Sequence, residues 1–175
     1  MDEAKELFLK YIGNSFQMHR DGVLDIYRKY NIDSKIENEW LNEYYYELIE
    51  KMKSSESPDK FWLICEVIKV TKSTNRLEYL MDIINLCIVN WDTFERLRIA
   101  EEIKGLIEFF SKNYKEQSSE ILKYKNIAID IFNSVIHEQV VISEETRQMV
   151  ALENVLSEEN LRIRAINGLR DLLKY

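Results

Sequence analysis

Apolar side chains recur at helical spacing along most of this chain. The clearest case is the segment 36–52, whose apolar residues form one broad helical face while Glu39, Glu43 and Glu50 lie opposite. The pattern predicts an amphipathic helix over this segment. Its apolar face consists of Ile36, Trp40, Leu41, Tyr44, Tyr45, Leu48, Ile49 and Met52.

Two shorter apolar stripes lie on either side of Gly13-Asn14. The first covers residues 4–12 and the second covers residues 16–30. Because glycine and asparagine are typical of a break between helices, the pattern predicts two amphipathic helices here. The second stripe consists of Phe16, His19, Val23, Ile26, Tyr27 and Tyr30.

Two further segments, Phe61–Val70 and Ile83–Val89, are apolar on nearly every side. Their β-branched residues would suit a buried strand as well as a buried helix. Each segment lies within about 15 residues that carry no turn signal, which is too long for a typical strand, so we expect two central helices. Ser57-Pro58-Asp59 has the order of a cap, a first-turn proline and a dipole-compensating acid, and it predicts that the first helix spans about 58–73.

Cap signatures mark the remaining helix starts. Asp92-Thr93-Phe94-Glu95 fits a capping box and predicts a helix that ends near Tyr114. Ser118-Ser119-Glu120 predicts the start of a long helix over 118–140. The last two helices are predicted to follow Ser143-Glu144-Glu145 and Ser157-Glu158-Glu159, where a hydroxyl precedes two carboxylates.

Taken together, these patterns predict one all-α domain over residues 1–175, with about nine amphipathic helices and no block of strands. A single proline and four glycines leave few sharp turns between the helices. The helices could stack as irregular antiparallel pairs or form a non-repetitive helical bundle.

The end of the chain resembles a known helical repeat. The run Leu161–Leu169 has the order apolar, Arg, two variable positions, Ala, two variable positions, small residue, Leu. It resembles the second helix of a HEAT repeat, and the apolar residues Val150, Leu152, Val155 and Leu156 suit the preceding helix. A weaker match to the same residue pattern occurs at Arg96–Ala100. The resemblance implies a HEAT-like α-α superhelix, in which Ala165 and Gly168 permit close helix approach. The groove between neighbouring helices would be filled by Leu161, Leu169, Leu172 and Leu173.

Composition narrows the range of partners. The chain has 31 Asp+Glu against 24 Lys+Arg and a formal net charge of −7, whereas a general nucleic-acid binder needs a basic face. The longest uncharged segment, Ile83–Trp91, has about half of the ~20 residues that a membrane-spanning helix needs. We therefore expect neither a nucleic acid nor a membrane as a partner.

Two features favour a cytoplasmic protein. The acidic segment Met1–Glu6 lacks the basic and apolar regions of a secretory signal. Cys65 and Cys87 lie in apolar runs, as buried free thiols do, so no disulfide is expected. The abundance of Ile, Lys and Asn is typical of a bacterial source.

The motifs predict no catalytic residue, metal site or cofactor. His19-Arg20-Asp21 matches the catalytic triplet of protein kinases but lacks their glycine-rich loop and Asp-Phe-Gly. His137-Glu138 lacks the second histidine of a zinc protease, because residue 141 is valine. Two histidines and two cysteines, far apart in the sequence, provide no tetrahedral ligand set. We expect His19 to be partly buried and hydrogen-bonded; the alternative is an enzyme with dispersed carboxylates around His19 or His137.

A row of carboxylates on the predicted 36–52 helix is the most unusual surface feature. Glu39, Glu43 and Glu47 follow at i, i+4 and i+8, with Tyr46 and Glu50 beside them. Like charges at this spacing destabilise an isolated helix by a few tenths of a kcal/mol per pair. We therefore predict a contact surface for a basic protein partner, anchored by Tyr46. The alternative is a solvated face screened by salt and by Lys51 and Lys53.

Other charged and aromatic residues have simpler interpretations. We expect Arg162, Arg164 and Arg170 to form intramolecular ion pairs, because Glu158, Glu159 and Asp171 lie close by in the sequence. Trp40, Trp62 and Trp91 each lie in an apolar run, so we expect them in the core.

The sequence therefore predicts a non-enzymatic, helical-repeat module that binds another protein. Small acidic HEAT-like proteins of bacteria include immunity partners of toxins, and the size and charge of this chain suit that class. An enclosed cleft with convergent acids and a histidine would favour the enzyme alternative, whereas a polar concave or acidic face would favour binding.

Overall fold

The computed structural model describes residues 2–55, 58–114, 121–150 and 153–175. Within these ranges the chain is all-α and contains no strand, which confirms the predicted fold class. Short 3₁₀-helices cover Ile88–Asn90 and Glu153–Leu156. The α-helices are α1 (Asp2–Lys10), α2 (Ser15–Arg20), α3 (Leu24–Arg28), α4 (Ser34–Ser55), α5 (Phe61–Thr71), α6 (Thr74–Cys87), α7 (Thr93–Asn113), α8 (Lys125–His137), α9 (Glu144–Met149) and α10 (Glu158–Leu172).

Both apolar segments are helical and neither is a strand, as their length predicted. However, Ile83–Val89 is not central: α6 ends at Cys87 and a 3₁₀-helix follows. Leu86 and Val89 are exposed (72% and 81%). α5 contributes Ile64, Cys65, Val67 and Ile68 to the core, each fully buried. It begins at Phe61 and not at 58, because a turn precedes it in which the Phe61 N–H donates to the Pro58 carbonyl (2.8 Å). The predicted cap, Ser57, lies outside the described residues.

The helix α5 is not apolar on all sides. Trp62 and Val70 face solvent, with 46% and 41% of their surface exposed, so Trp62 is not the core residue that we expected. Trp40 and Trp91 are buried, in agreement with the prediction. The helix ends where Lys72 adopts a left-handed conformation (φ 53°), and α6 then starts from its cap Ser73.

The predicted helix over 16–30 is two helices in the structure. Gly22 lies between α2 and α3 with φ +73°, a conformation that favours glycine and interrupts the helix. Because of this break, the apolar residues of the segment 16–30 do not share one helical face. Phe16 and Ile26 are exposed (75% and 50%), whereas Met18 is buried in the core. The break at Gly13-Asn14 is confirmed, since the Asn14 side chain caps α2.

Helix α4 agrees with its apolar pattern. Trp40, Leu41, Tyr45, Leu48, Ile49 and Met52 are buried in the core. The helices α1 and α5 pack against this face, and the ring of Phe8 on α1 contacts the ring of Trp40 edge-on. The opposite face of α4, which carries the glutamates, is exposed.

The helices α7, α8 and α10 pack on one another and form what we call the C-terminal layer. The predicted capping box is present at its start: Glu95 N–H donates to Asp92 Oδ1, and Asp92 N–H donates to Glu95 Oε2, both at 2.9 Å. The predicted close approach of α10 is confirmed at Gly168, where an added Cβ would lie 2.5 Å from Phe132 Cζ. Leu173 is exposed and fills no groove, because α10 ends at Leu172.

Two helix predictions in the C-terminal half differ from the structure. The long helix over 118–140 is wrong, because residues 123–124 form a turn and α8 begins at Lys125; Ser118, Ser119 and Glu120 lie outside the described residues. Ahead of α10, where the repeat resemblance implied an α-helix, Glu153–Leu156 is a 3₁₀-helix, and Leu152 lies outside the described residues. The serine caps of α9 and α10 are confirmed. The HEAT-like stacking stays a prediction.

Candidate interaction surface

The glutamates of α4 form one continuous exposed strip. We call Glu39, Glu43, Glu47 and Glu50, together with Tyr46, the acidic ridge. All five residues are exposed, because the buried face of α4 lies on the opposite side of the helix. The spacing that predicted the ridge therefore describes its position correctly.

Lysines partly neutralise the acidic ridge. Lys5 on α1 donates to Glu43 (2.6 Å), Lys53 donates to Glu50 (2.8 Å), and Lys51 pairs with Glu47. Among the described residues, Glu39 is the ridge carboxylate without an ion pair. Exposed pairs of this kind stabilise a fold by about 0–1 kcal/mol each, so they offset the repulsion along the helix without making the ridge rigid. Lys51 and Lys53 were expected near the ridge, whereas Lys5 could not be predicted.

Tyr46 connects the acidic ridge to helix α6. Its ring lies 5.2 Å from the ring of Tyr45 and 6.1 Å from the ring of Tyr79, both edge-on, and 49% of its surface is exposed. The Tyr79 hydroxyl in turn accepts a hydrogen bond from Lys53 (3.1 Å). An exposed tyrosine supported by other rings is a typical anchor of protein contacts, since it buries much area at little entropic cost.

A cleft of about 420 Å³ opens beside Tyr46, between α4 and the first turn of α6. Its α4 wall consists of Asn38, Asn42 and Tyr46 at i, i+4 and i+8, one position before each of Glu39, Glu43 and Glu47. Its opposite wall comes from the α5–α6 turn and from α6, and includes Ser73, Asn75, Arg76 and Tyr79. Among the described lining residues Arg76 is the charged one. We call this feature the Arg76 cleft.

Arg76 is held in place by an amide and a ring. Its Nη2 donates to Asn42 Oδ1 (3.0 Å), and its guanidinium carbon lies 5.7 Å from the centre of the Tyr45 ring. The Tyr45 hydroxyl also donates to the carbonyl of Arg76 (2.6 Å). Burial lowers the pKa of Arg76 from its usual value, and burial raises the pKa of Tyr45. In the part of the chain that the structure describes, no carboxylate forms an ion pair with Arg76.

A second cleft, of about 280 Å³, lies between the end of α6, α7 and α8. Ile88, Val89, Ile127 and Ile131 give it a mostly apolar lining, and Arg96 lies at its polar side. Neither this cleft nor the Arg76 cleft is lined by a histidine.

The histidines lie away from both clefts. His19 and His137 are exposed, so the expectation that His19 is partly buried is wrong; its helix α2 buries Met18 instead. Asp21, the third residue of the kinase-like triplet His19-Arg20-Asp21, forms an ion pair with Arg20 (2.9 Å). Within residues 2–55, 58–114, 121–150 and 153–175, no group of three His, Cys, Asp or Glu side chains could hold a metal ion.

The two thiols differ in their burial. Cys65 is fully buried in α5, and this burial raises the pKa of its thiol well above the usual value. Cys87 is partly buried at the end of α6, and both cysteines are free, as predicted. A thiol nucleophile needs access and a lowered pKa, neither of which Cys65 has.

Two of the three arginines of α10, Arg162 and Arg164, form intramolecular ion pairs. Arg170, for which a pair was also expected, forms none with a described carboxylate, and Asp171 pairs with Lys174 instead. Arg162 pairs with Glu158 (2.8 Å), as predicted, and also donates to the carbonyls of Ile136 and Glu138. Arg164 donates through two nitrogens to Glu101 on α7, at 2.7 and 3.0 Å, a partner that the sequence did not indicate.

Among the described helices, none has both the length and the apolar character needed to cross a bilayer. Comparison of the chain with protein-family models, with curated proteins and with solved structures found no match. The functional interpretation therefore depends on the geometry of the α4–α6 surface.

Proposed function

We propose that this chain is a non-enzymatic module that binds another protein through the acidic ridge. The observation that carries the proposal is the exposed ring of Tyr46, supported by Tyr45 and Tyr79 and placed within a row of four glutamates. Such an arrangement suits a partner with a basic contact surface, because charges steer the encounter and the aromatic ring supplies buried area.

The lysines of the acidic ridge are compatible with this proposal. Their ion pairs with Glu43, Glu47 and Glu50 are exposed, so a partner's arginines can replace them at small cost. Glu39, at the start of the row, has no lysine partner among the described residues that a partner's arginine would have to replace. An immunity-type partner of a basic toxin is one form that such a binding protein would take.

Capture experiments with the full chain test the proposal. We expect the wild-type chain, immobilised and exposed to a lysate of its source organism, to retain a specific protein that a variant with Glu39, Glu43, Glu47 and Glu50 changed to Gln does not retain. Tyr46→Ala should weaken the affinity for the purified partner at least tenfold, as expected for an anchor residue.

A matched control removes the same charge elsewhere. A variant with Glu6→Gln, Asp82→Asn, Glu145→Gln and Glu159→Gln loses four exposed carboxylates from α1, α6, α9 and α10, and it should capture the partner as the wild type does. Equal retention by the ridge variant and the control would exclude the acidic ridge as the binding surface.

A further inference from the structure

The Arg76 cleft contains a guanidinium that lacks a carboxylate in an acidic protein. Five arginines pair with a described carboxylate (Arg20, Arg28, Arg96, Arg162 and Arg164), whereas Arg76, Arg98, Arg147 and Arg170 do not. Of these four, Arg76 is the one that lines one of the two clefts described above, where it contacts Asn42 and the ring of Tyr45. A guanidinium has five N–H donors in a planar fork, and the bond to Asn42 uses one of them. The cleft therefore presents a fixed, partly desolvated positive group to whatever enters it.

The other lining side chains are hydrogen-bonding groups of neutral charge. Because Asn42 Oδ1 accepts from Arg76, the Nδ2 group of Asn42 is left as a donor. Tyr79 accepts from Lys53 at its hydroxyl, so its own proton is available to a ligand, while the charge of Lys53 is paired with Glu50 at 2.8 Å. Asn75 is exposed and offers both a donor and an acceptor. Such a set matches a ligand that combines an anion with an amide.

The acidic ridge opposes this positive site only in part: Glu43, Glu47 and Glu50 have lysine partners, whereas Glu39, next to the lining residue Asn38 in sequence, has none among the described residues. The ridge carboxylate next to Asn42 in sequence, Glu43, is neutralised by Lys5 at 2.6 Å. No acidic residue lines the cleft among those that the structure describes. The volume of about 420 Å³ lies within the range of small-molecule sites and exceeds what an inorganic anion fills.

We propose that the Arg76 cleft binds an organic carboxylate that carries a neighbouring amide, with the carboxylate on Arg76 and the amide on Asn42 and Asn75. Arginine suits a carboxylate because its planar fork can donate two parallel hydrogen bonds. Side-chain amides suit a peptide group because each offers one donor and one acceptor type. This chemistry occurs at the C-terminus of a peptide chain and in free N-acylamino acids. The site stands whether or not the acidic ridge binds a protein.

Titrations followed by ¹H–¹⁵N NMR on the full chain test this site with defined probes at constant ionic strength. We expect N-acetylglycine to shift the Arg76 Nε–H resonance saturably, with a dissociation constant in the millimolar range that is usual for so small a ligand. N-acetylglycinamide, which lacks the carboxylate, and inorganic phosphate, which lacks the amide, should bind at least tenfold more weakly.

Variants distinguish binding at the Arg76 cleft from a general effect of positive charge on the protein. N-acetylglycine should also shift the backbone amide resonances of Tyr46 and Tyr79 saturably, and Arg76→Gln should abolish these shifts. Arg76→Lys, which keeps the charge but loses the fork, should weaken binding at least fivefold. Arg147→Gln removes an exposed arginine on α9 and should leave the affinity unchanged. Circular dichroism and amide-resonance dispersion verify that each variant is folded.

The source of the carboxylate is decided by a longer probe. An acetylated tetrapeptide with a free C-terminus that binds at least tenfold more tightly than N-acetylglycine indicates a chain terminus, and equal affinities indicate a free small acid. The proposal is overturned if N-acetylglycinamide or phosphate shifts the same resonances with equal affinity, if N-acetylglycine causes no saturable shift, or if folded Arg76→Gln binds it as the wild type does.

Discussion

Asp92 and Arg164 in the C-terminal layer differ from Arg76 on the α4–α6 surface in how fully their polar groups are bonded. The contrast concerns these residues, since Arg96 Nε and Ser111 Oγ on α7 are buried without a hydrogen-bond partner among the described residues. In the layer, Asp92 and Arg164 each make several bonds to partners within the chain. On the α4–α6 surface, Arg76 has one amide partner and no carboxylate, and a cleft stays open in front of it. A polar group that is fully bonded within the fold stabilises it, whereas a fixed group with spare donors suits recognition. With the binding roles proposed above, we expect stability and binding to depend on separate parts of this molecule.

The largest test of this comparison is Asp92→Ala. The buried Asp92 carboxylate accepts from the N–H groups of Glu95 and Ser143, both at 2.9 Å, so it caps α7 and anchors the segment before α9. We expect a loss of about 2–3 kcal/mol in the free energy of unfolding, the sum of a cap and a further buried hydrogen bond. Chemical denaturation measures this loss.

Ser73→Ala removes the matching helix cap on the α4–α6 surface, where Ser73 caps α6. Ser73 accepts one long bond, from Arg76 N–H at 3.3 Å, at the edge of the cleft. Its removal should cost about 1 kcal/mol or less. Equal losses for Asp92→Ala and Ser73→Ala would break the distinction between the two regions.

A second test uses two helical glycines with opposite surroundings. Gly168→Ala would place a Cβ 2.5 Å from Phe132, whose ring is fully buried and cannot withdraw. Overpacking of about 1–3 kcal/mol exceeds or offsets the gain of about 1 kcal/mol in helix propensity, so we expect a net loss of up to about 2 kcal/mol.

Gly105→Ala in α7 is the control for this substitution. No atom lies within 4 Å of the added Cβ, so the propensity gain remains and unfolding should need up to about 1 kcal/mol more free energy. Both variants are measured by urea denaturation. A stabilising Gly168→Ala would show that the C-terminal layer is looser than its contacts indicate.

A third test concerns a carboxylate within the packed region. Burial raises the pKa of Glu102 on α7, and the opposing attraction of Lys69 does not cancel this effect. A carboxyl group whose pKa is higher in the folded state binds its proton more tightly there, so the free energy of unfolding falls as the pH rises through its titration range. The ionised group therefore destabilises the fold at neutral pH.

Glu102→Gln removes that ionisation. We expect the variant to be more stable than the wild type at pH 7, and the difference to shrink as the pH falls below the carboxyl range, where Glu102 is protonated in both states. Thermal unfolding between pH 3 and pH 8 measures the difference, with the exposed Glu78→Gln as control. A difference that does not change with pH would assign the effect to packing.

Short-range signals explain which parts of the fold the sequence could predict. The capping box of Asp92 and Glu95 and the caps Ser143 and Ser157 act over three residues, so their partners are visible in the sequence. The division of residues 16–30 was missed because its apolar spacing also fits one helix. The positive φ of Gly22, which interrupts that helix, depends on how the flanking helices pack.

Long-range contacts explain what the sequence could not predict. Arg76 meets Asn42 across 34 positions, and Arg164 meets Glu101 across 63. The acidic ridge was predictable because its residues share one helix, whereas the Arg76 cleft beside it exists only once α4 and α6 lie together. Lys5, which neutralises Glu43 from α1, belongs to the same class.

The smallest expected change in the free energy of unfolding, that of Arg76→Gln, tests the contrast between Arg76 and Arg164 most directly. Arg76→Gln should change the free energy of unfolding by about 0.5 kcal/mol, because it removes one exchangeable bond to Asn42 and a partly exposed contact with the Tyr45 ring, but no ion pair. Arg164→Gln should cost about 1 kcal/mol, since it breaks a two-point pair with Glu101 in the C-terminal layer. Both variants are compared by chemical denaturation at low and high salt, and only the Arg164→Gln loss should shrink as salt screens the pair. A loss at Arg76 as large as that at Arg164 would make Arg76 a structural residue of the α4–α6 contact, and the separation of stability from binding would fail there.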